Sequence, residues 1–383
     1  MGSFSEQSFI GGEKRRGEQF RLMATGGFIF GVLLLFCTLG LAVFILYTAA
    51  ADMQPWAMAH LLRILFGLGI ILVILWVPLG TWFQAAYWLY GLNVVLLVLI
   101  PFFGVSNMGA QRWFYLGSLS VQPSEPMKVC AILALARYFH LLHPKEVLLV
   151  RHIIIPAGIV ALPTLLIINQ PDLGTSLMIL FGGVVTFFLV GVRWQNFAAL
   201  FSLTAVCAFP IWTYVLHDFQ RQRILSFIAP EKDLLGAGYQ LMQSKIAIGS
   251  GGWLGNGFLQ GTQSLLGFIP AKHTDFIFAL HAEQFGFWGG LAILGLIFTL
   301  MLYCVLTASM SHSTFARLMV LSIGSLWIIQ SIVNLAMVMG LLPVVGVPLP
   351  FFSYGGTSLW TSMAAFGFVL NAYINQYNSL RNT

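Results

Sequence analysis

The chain has 383 residues but only twelve carboxylates, so each acid can be asked what it is for. Asp275 and Glu283 are the most informative pair. Asp275 closes the tract KHTDF ahead of a long apolar run, and Glu283 lies two helical turns further on. A separation of eight residues puts two side chains on nearly one helical face, about 12 Å apart. A carboxylate at membrane depth is costly unless it faces a wet or paired interior. Partly desolvated, it is also a stronger base than in water. A carboxylate so placed is a candidate for proton transfer at a polar site. Asp275 has a second reading as a helix cap, accepting free N–H groups at the positive dipole end. One residue can do both.

Other charged or irregular segments carry the same kind of ambiguity. In QPSEPMK, Glu125 and Lys128 are three apart, able to meet on one helix face as an ion pair or to line a polar cavity. NQPDLGTS, residues 169–176, reads as a helix start, with Pro171 in the first turn and Asp172 at the dipole. The glycines of GSGGWLGNG, residues 249–257, fit neither a dinucleotide nor a P-loop pattern. They read either as tight turning or as backbone N–H groups presented to an anion beside Lys245.

The elements that must position these residues are membrane spans. Hydrophobic residues make up 58% of the chain and charged residues 8%, too few to coat a soluble body of this size. Apolar runs long enough to cross about 30 Å of hydrocarbon number about ten. They lie near 25–48, 57–77, 82–103, 124–142, 150–168, 173–191, 194–215, 276–306, 315–341 and 356–377. The expected fold is an all-α polytopic membrane protein: one ten-span domain over 25–377, with a large polar loop, 217–275, between spans 7 and 8. The fourth span carries the weakest pattern, because Lys128, Arg137 and His140 interrupt it.

Basic residues in the short loops set the orientation. With Lys14, Arg15, Arg16, Arg21, Lys145, Arg151, Arg193, Arg317 and Arg381 inside, tails 1–24 and 378–383 are both cytoplasmic. Eight acids then fall at or beyond the outer face: Asp52, Glu125, Asp172, Asp218, Glu231, Asp233, Asp275 and Glu283. This places the polar site outward. The polar first 24 residues predict no cleaved signal peptide, and MGSFSE departs from the myristoylation pattern. Cys37, Cys130, Cys207 and Cys304 fall in separate spans without CxxC spacing, and the histidines form no metal-ligand pattern. A nucleic-acid surface, which needs a basic face interleaved with aromatics, is not indicated.

Taken in order, these segments resemble the SEDS family (shape, elongation, division and sporulation proteins), and within it the RodA-like branch. The matching tracts are GAQRW at 109–113, QPSE with Lys128 at 122–128, NQPDLGTS, GAGYQLMQSKIAIGSGG at 236–252, GTQS at 261–264, HTDFIFA at 273–279 and GVPLPFFSYGG at 346–356. GTQS favours that branch over the division paralogue FtsW. Two departures stand out: Ala271-Lys272 replaces an acidic residue before HTDF, and Ala282-Glu283-Gln284-Phe285-Gly286 stands where GEELG or AEELG is usual.

The resemblance implies a peptidoglycan glycosyltransferase that polymerises lipid II, a disaccharide-pentapeptide on undecaprenyl pyrophosphate, at the outer face of the bacterial cytoplasmic membrane. It implies Asp275 as the essential aspartate and general base. It points to Arg112, Glu125, Lys128, Gln243, Ser244, Lys245, Thr274 and Glu283 as substrate contacts, with Arg112, Lys128 and Lys245 the candidates for the pyrophosphate. A divalent cation, Mg or Mn, is a candidate cofactor; no organic cofactor is expected. The implied partners are a class B penicillin-binding protein and other membrane proteins of the cell-elongation complex. Two other classes compete: a flippase for the lipid-linked precursor, expected to show inverted repeats and a midplane site, and a non-catalytic scaffold for the penicillin-binding protein.

Overall fold

The computed structural model describes residues 25–378 apart from 51–55, 108–109, 118, 144–145, 147–150, 216–217, 231–232, 234–235 and 270–272. The expectations for tail residues 1–24 and 379–383, and for Asp52, Lys145, Glu231 and Lys272, lie outside the described residues. The chain is built from helices α1 (Gly26–Ala50), α2 (Trp56–Trp76), α3 (Leu79–Phe103), α4 (Ser124–Leu141), α5 (Arg151–Ile168), α6 (Leu173–Val190) and α7 (Trp194–Pro210). Then come α8 (Asp218–Ile228), α9 (Ala237–Gly251), α10 (Thr262–Leu265), α11 (Ile277–Met310), α12 (Thr314–Val338) and α13 (Gly356–Ile374). A helix stands at each of the ten apolar stretches. Six of these helices, α1, α2, α3, α6, α11 and α12, are long and apolar enough to cross a membrane on those grounds alone.

Hydropathy is weakest where packing is deepest. Helix α4 runs through the middle of the bundle, against α3, α6 and α12. Most of its residues are buried, including Glu125 and Lys128 at 4% and 5% exposure. A helix enclosed by other helices need not be lipid-like, provided its charges are paired. Lys128 Nζ lies 2.9 and 3.0 Å from the two Glu125 carboxylate oxygens. By contrast α2 and α3 leave large side chains such as Leu72, Trp88 and Phe102 on the outside of the bundle.

The polar segment 217–275 contains helices α8, α9 and α10. Its glycine run threads a break in α11. Gly286 has φ 63 and ψ −155 inside that helix, which opens its hydrogen-bond ladder. The run then supplies the missing partners: Asn256 N donates to Glu283 O, Gly257 N to Gln284 O, and Phe287 N to Gly252 O. A side chain at Gly255 would strike the Gln284 carbonyl, and one at Gly286 would strike Gly255 N. Only glycine permits two backbones to approach this closely. The N–H groups of Gly255, Asn256 and Gly257 are thus spent on packing, which supports the reading of the run as a close-packing turn. Residues 287–310, beyond the break, span about 36 Å at helical rise, sufficient to cross hydrocarbon.

One element departs from the all-α expectation. Residues flanking and following Ala110 form a small antiparallel sheet of β1 (Val105–Asn107), β2 (Ala110–Leu116) and β3 (Leu119–Val121), in the order β1-β2-β3. The run Trp113-Phe114-Tyr115 suits a half-covered strand, and β2 carries Arg112 toward the start of α6.

Candidate active site

Asp275 lies in the turn His273–Phe276 that leads into α11, and two distant segments clamp the backbone of that turn. Tyr354 N donates to His273 O at 2.9 Å, and Ser353 Oγ donates to Thr274 O at 2.8 Å. Asn334 on α12 donates through Nδ2 to Asp275 O at 2.9 Å and to Val347 O at 2.7 Å. The tract GVPLPFFSYGG thus holds the aspartate's backbone rigidly while leaving its side chain untouched. No hydrogen bond to the Asp275 carboxylate is formed among the described residues. The capping alternative is also absent: the N-cap of α11 is Phe276, without a side-chain cap.

The carboxylate faces a cation. A Cβ placed on Gly346 would lie 3.6 Å from Asp275 Oδ2 and 3.8 Å from Arg223 Nη1, so both groups border the space above that glycine. Gly346 has φ 72, a conformation costly for any side chain. Asp275 is half-buried. Desolvation pushes its carboxyl up to about 6, the positive charge of Arg223 opposes the rise, and the negative charge of Asp172 adds to it. Arg223 on α8 is shifted down by burial and then by Arg112, with Asp275 and Asp172 opposing.

Asp172 and Arg112 complete the cluster. The helix start expected in NQPDLGTS is present, but one step later: α6 begins at Leu173, Pro171 lies outside the first turn, and Asp172 is the N-cap, accepting from Thr175 N at 3.3 Å and from Thr175 Oγ1 at 3.0 Å. Gln122 Nε2 donates to it at 2.9 Å, and Arg112 Nη1 approaches to 3.9 Å. Arg112 also donates to the carbonyls of Gln170 and Pro171, which orient its guanidinium. Two arginines and two aspartates therefore meet at one end of the bundle. Asp172 is fully engaged, so Asp275 is the carboxylate left available to accept a proton.

The chain belongs to the FtsW/RodA/SpoVE family of cell cycle proteins.

The family model matches residues 23–378. The chain is 41% identical over 315 residues to the peptidoglycan glycosyltransferase MrdB of Escherichia coli K12, covering 82% of this chain and 84% of that one. It is 38% identical over 327 residues to MrdB of Helicobacter pylori 26695, with the same coverage. Among solved structures it resembles a chain from a peptidoglycan synthase complex that coordinates polymerization and crosslinking, with 31% identity and a TM-score of 0.80. It also resembles Thermus thermophilus rod shape determining protein RodA, with 27% identity and a TM-score of 0.68. Each match covers 91% of this chain and 97% of the other. It is a RodA-like member of the family.

Within this RodA-like fold the expected site residues divide. Asp275 and Arg112 join the charged cluster, and Thr274 contributes its carbonyl to the clamp. Glu125 and Lys128 pair inside the bundle, bordering a cavity of about 10 Å³ with Gln330 and Ser362, room for about one water. Glu283 does not share a site with Asp275. It is wholly buried, accepting from Gln263 N at 2.8 Å and Thr262 Oγ1 at 3.4 Å, and so fixes the GTQS turn against α11. Ser244 is likewise buried, donating to Val338 O at 2.8 Å where α9 meets α12. Lys245 lies against Gly340 just past the end of α12, whose last carbonyls attract a cation. Gln243 is half-buried on α9.

Two cations escaped the sequence reading. Arg223 sits in HDFQRQR, and nothing in that tract says which of its arginines turns inward. Arg63 was legible as a charge inside a span, which by itself marks a candidate functional residue. Its guanidinium lies 4.1 Å from the centre of the Tyr354 ring and beside Gly356 at the start of α13.

Proposed function

We propose that this protein is a peptidoglycan glycosyltransferase of cell elongation, joining lipid II units into glycan strands with Asp275 as general base. The observation that supports this best is a half-buried carboxylate, without a hydrogen bond among the described residues, held by its backbone and facing Arg223 across Gly346. In the proposed step Asp275 takes the proton of the acceptor sugar's 4-hydroxyl. That oxygen bonds to the donor's anomeric carbon, and the bond from that carbon to the undecaprenyl pyrophosphate breaks. The negative charge gathering on the pyrophosphate falls to Arg223 and Arg112, fixed cations that need no reorganisation as it develops. A base of this kind contributes about 10²- to 10⁴-fold.

An apolar opening of about 690 Å³ between α2, α3, α4 and α13, walled by Leu65, Trp82, Leu133 and Phe368, suits a polyprenyl tail. The charged end of the bundle is proposed to face outward, with both termini cytoplasmic, in keeping with the basic residues at the opposite end. A class B penicillin-binding protein is the proposed partner. No group of three or more potential metal ligands stands among the described residues, and Asp172 is already engaged, so the cluster does not fit a resident divalent cation. A Mg or Mn ion would have to arrive on the substrate's pyrophosphate.

The deciding experiment is glycan-strand synthesis from lipid II by the purified protein with its penicillin-binding partner, comparing wild type with Asp275→Ala. Polymer from wild type alone, with equal assembly of both complexes, is expected. Equal polymer from both removes Asp275 from the mechanism. None from either folded complex restores the flippase and scaffold readings.

A further inference from the structure

At the end of the bundle opposite Asp275, the closing turns of α4 and α6 and the first turn of α12 enclose an opening of about 640 Å³. Its walls are mixed. Leu189 and Leu318 form apolar flanks, while His143, Glu146, Thr314 and Arg317 face the same space. Two charges of opposite sign, Glu146 and Arg317, border one opening, yet no ion pair joins them among the described residues. Among the described residues Glu146 accepts the His143 backbone N–H, at 3.1 Å, and Arg317 donates to Ser311 O at a long 3.4 Å. Opposite charges that share a space without closing on each other present a split site, with an acceptor on one wall and a donor fork on the other.

We propose that this opening binds the head group of an amine-bearing glycerophospholipid, with its phosphate on Arg317 and its ammonium on Glu146. The place supports a lipid over a soluble zwitterion. The opening lies where α4 ends at Leu141 and α12 begins at Thr314, at the edge of the apolar bundle. Leucine walls beside polar ones suit a molecule with acyl chains as well as charge. Glu146 sets the selectivity, because a glycerol head group offers it no cation and a choline head group offers a cation without N–H donors. The site is independent of the chemistry at Asp275.

The test uses the purified full-length protein in detergent, titrated with phosphatidylethanolamine, phosphatidylglycerol and phosphatidylcholine of matched chains. Bound lipid is read by native mass spectrometry. Wild type is expected to retain one phosphatidylethanolamine about tenfold more tightly than either other lipid. Glu146→Gln is expected to erase that preference while keeping phosphatidylglycerol binding, and Arg317→Gln to weaken all three. Equal retention of the three lipids by wild type overturns the proposal without recourse to a variant. So does an unchanged ranking in a Glu146→Gln protein that melts at the wild-type temperature. Binding of free phosphoethanolamine as tight as that of the lipid would also overturn it, in favour of a soluble ligand.

Discussion

The position of Asp275 makes a quantitative demand on the pH dependence of polymerisation. Its carboxyl is pushed up to about 6, chiefly by desolvation. Ionised and protonated forms then stand at about ten to one at pH 7 and about one to ten at pH 5. If the ionised form is the base, kcat/KM should fall about tenfold between those two values, reporting the free enzyme's essential group. An ordinary aspartate, near 3.8, would leave the same interval flat. The neighbours supply a sharper form of the test, because they act in opposite directions. Arg223 holds the carboxyl down and Asp172 holds it up. Arg223→Gln should therefore move the acid limb to higher pH and Asp172→Asn should move it lower. The assay is lipid II polymerisation by the purified complex from pH 5 to 8, fitted for kcat/KM at each pH. A flat wild-type profile, or two variants shifting the limb the same way, would refute the assignment of Asp275 as base.

Three further outcomes follow from the packing. Because the folded pKa of Asp275 lies above the ordinary value, its ionised form destabilises the native state, a penalty present in full above about 6 and lost as pH falls toward 3.8. Asp275→Asn should accordingly melt higher than wild type at pH 7.5, with the difference vanishing near pH 4 in thermal-unfolding scans. Gly255→Ala forces a methyl group onto the Gln284 carbonyl at φ 81, and should cost about 2–4 kcal/mol, visible as a lowered melting temperature and poor recovery from membranes. Lys128→Met strands the buried Glu125 carboxylate and should cost about 3–5 kcal/mol, with Glu125→Gln in the same chain restoring part of it. Equal stability of the single and double variants would show that the pair is not coupled.

Composition and hydropathy determined the membrane class and located a helix at each apolar stretch, because a chain in hydrocarbon must satisfy its backbone locally. The order of the polar tracts determined the family, and a helix start with Asp172 at its positive end was legible because that preference is local chemistry. Tertiary structure decided the rest. Glu283 and Ser244 look like site residues in a polar tract, yet the fold spends them on the GTQS turn and on the contact between α9 and α12. The glycine run reads as an anion cradle or as tight turning, and the break at Gly286 is what draws Asn256 and Gly257 into packing. Arg223 comes from α8, Arg112 from a strand and Asp172 from the start of α6, more than a hundred residues ahead of Asp275 for the latter two. Sequence can show that a carboxylate is present, because its type is written there. Whether it is desolvated, what faces it, and whether it is already engaged depend on groups distant in the chain, and those the tertiary fold alone brings together.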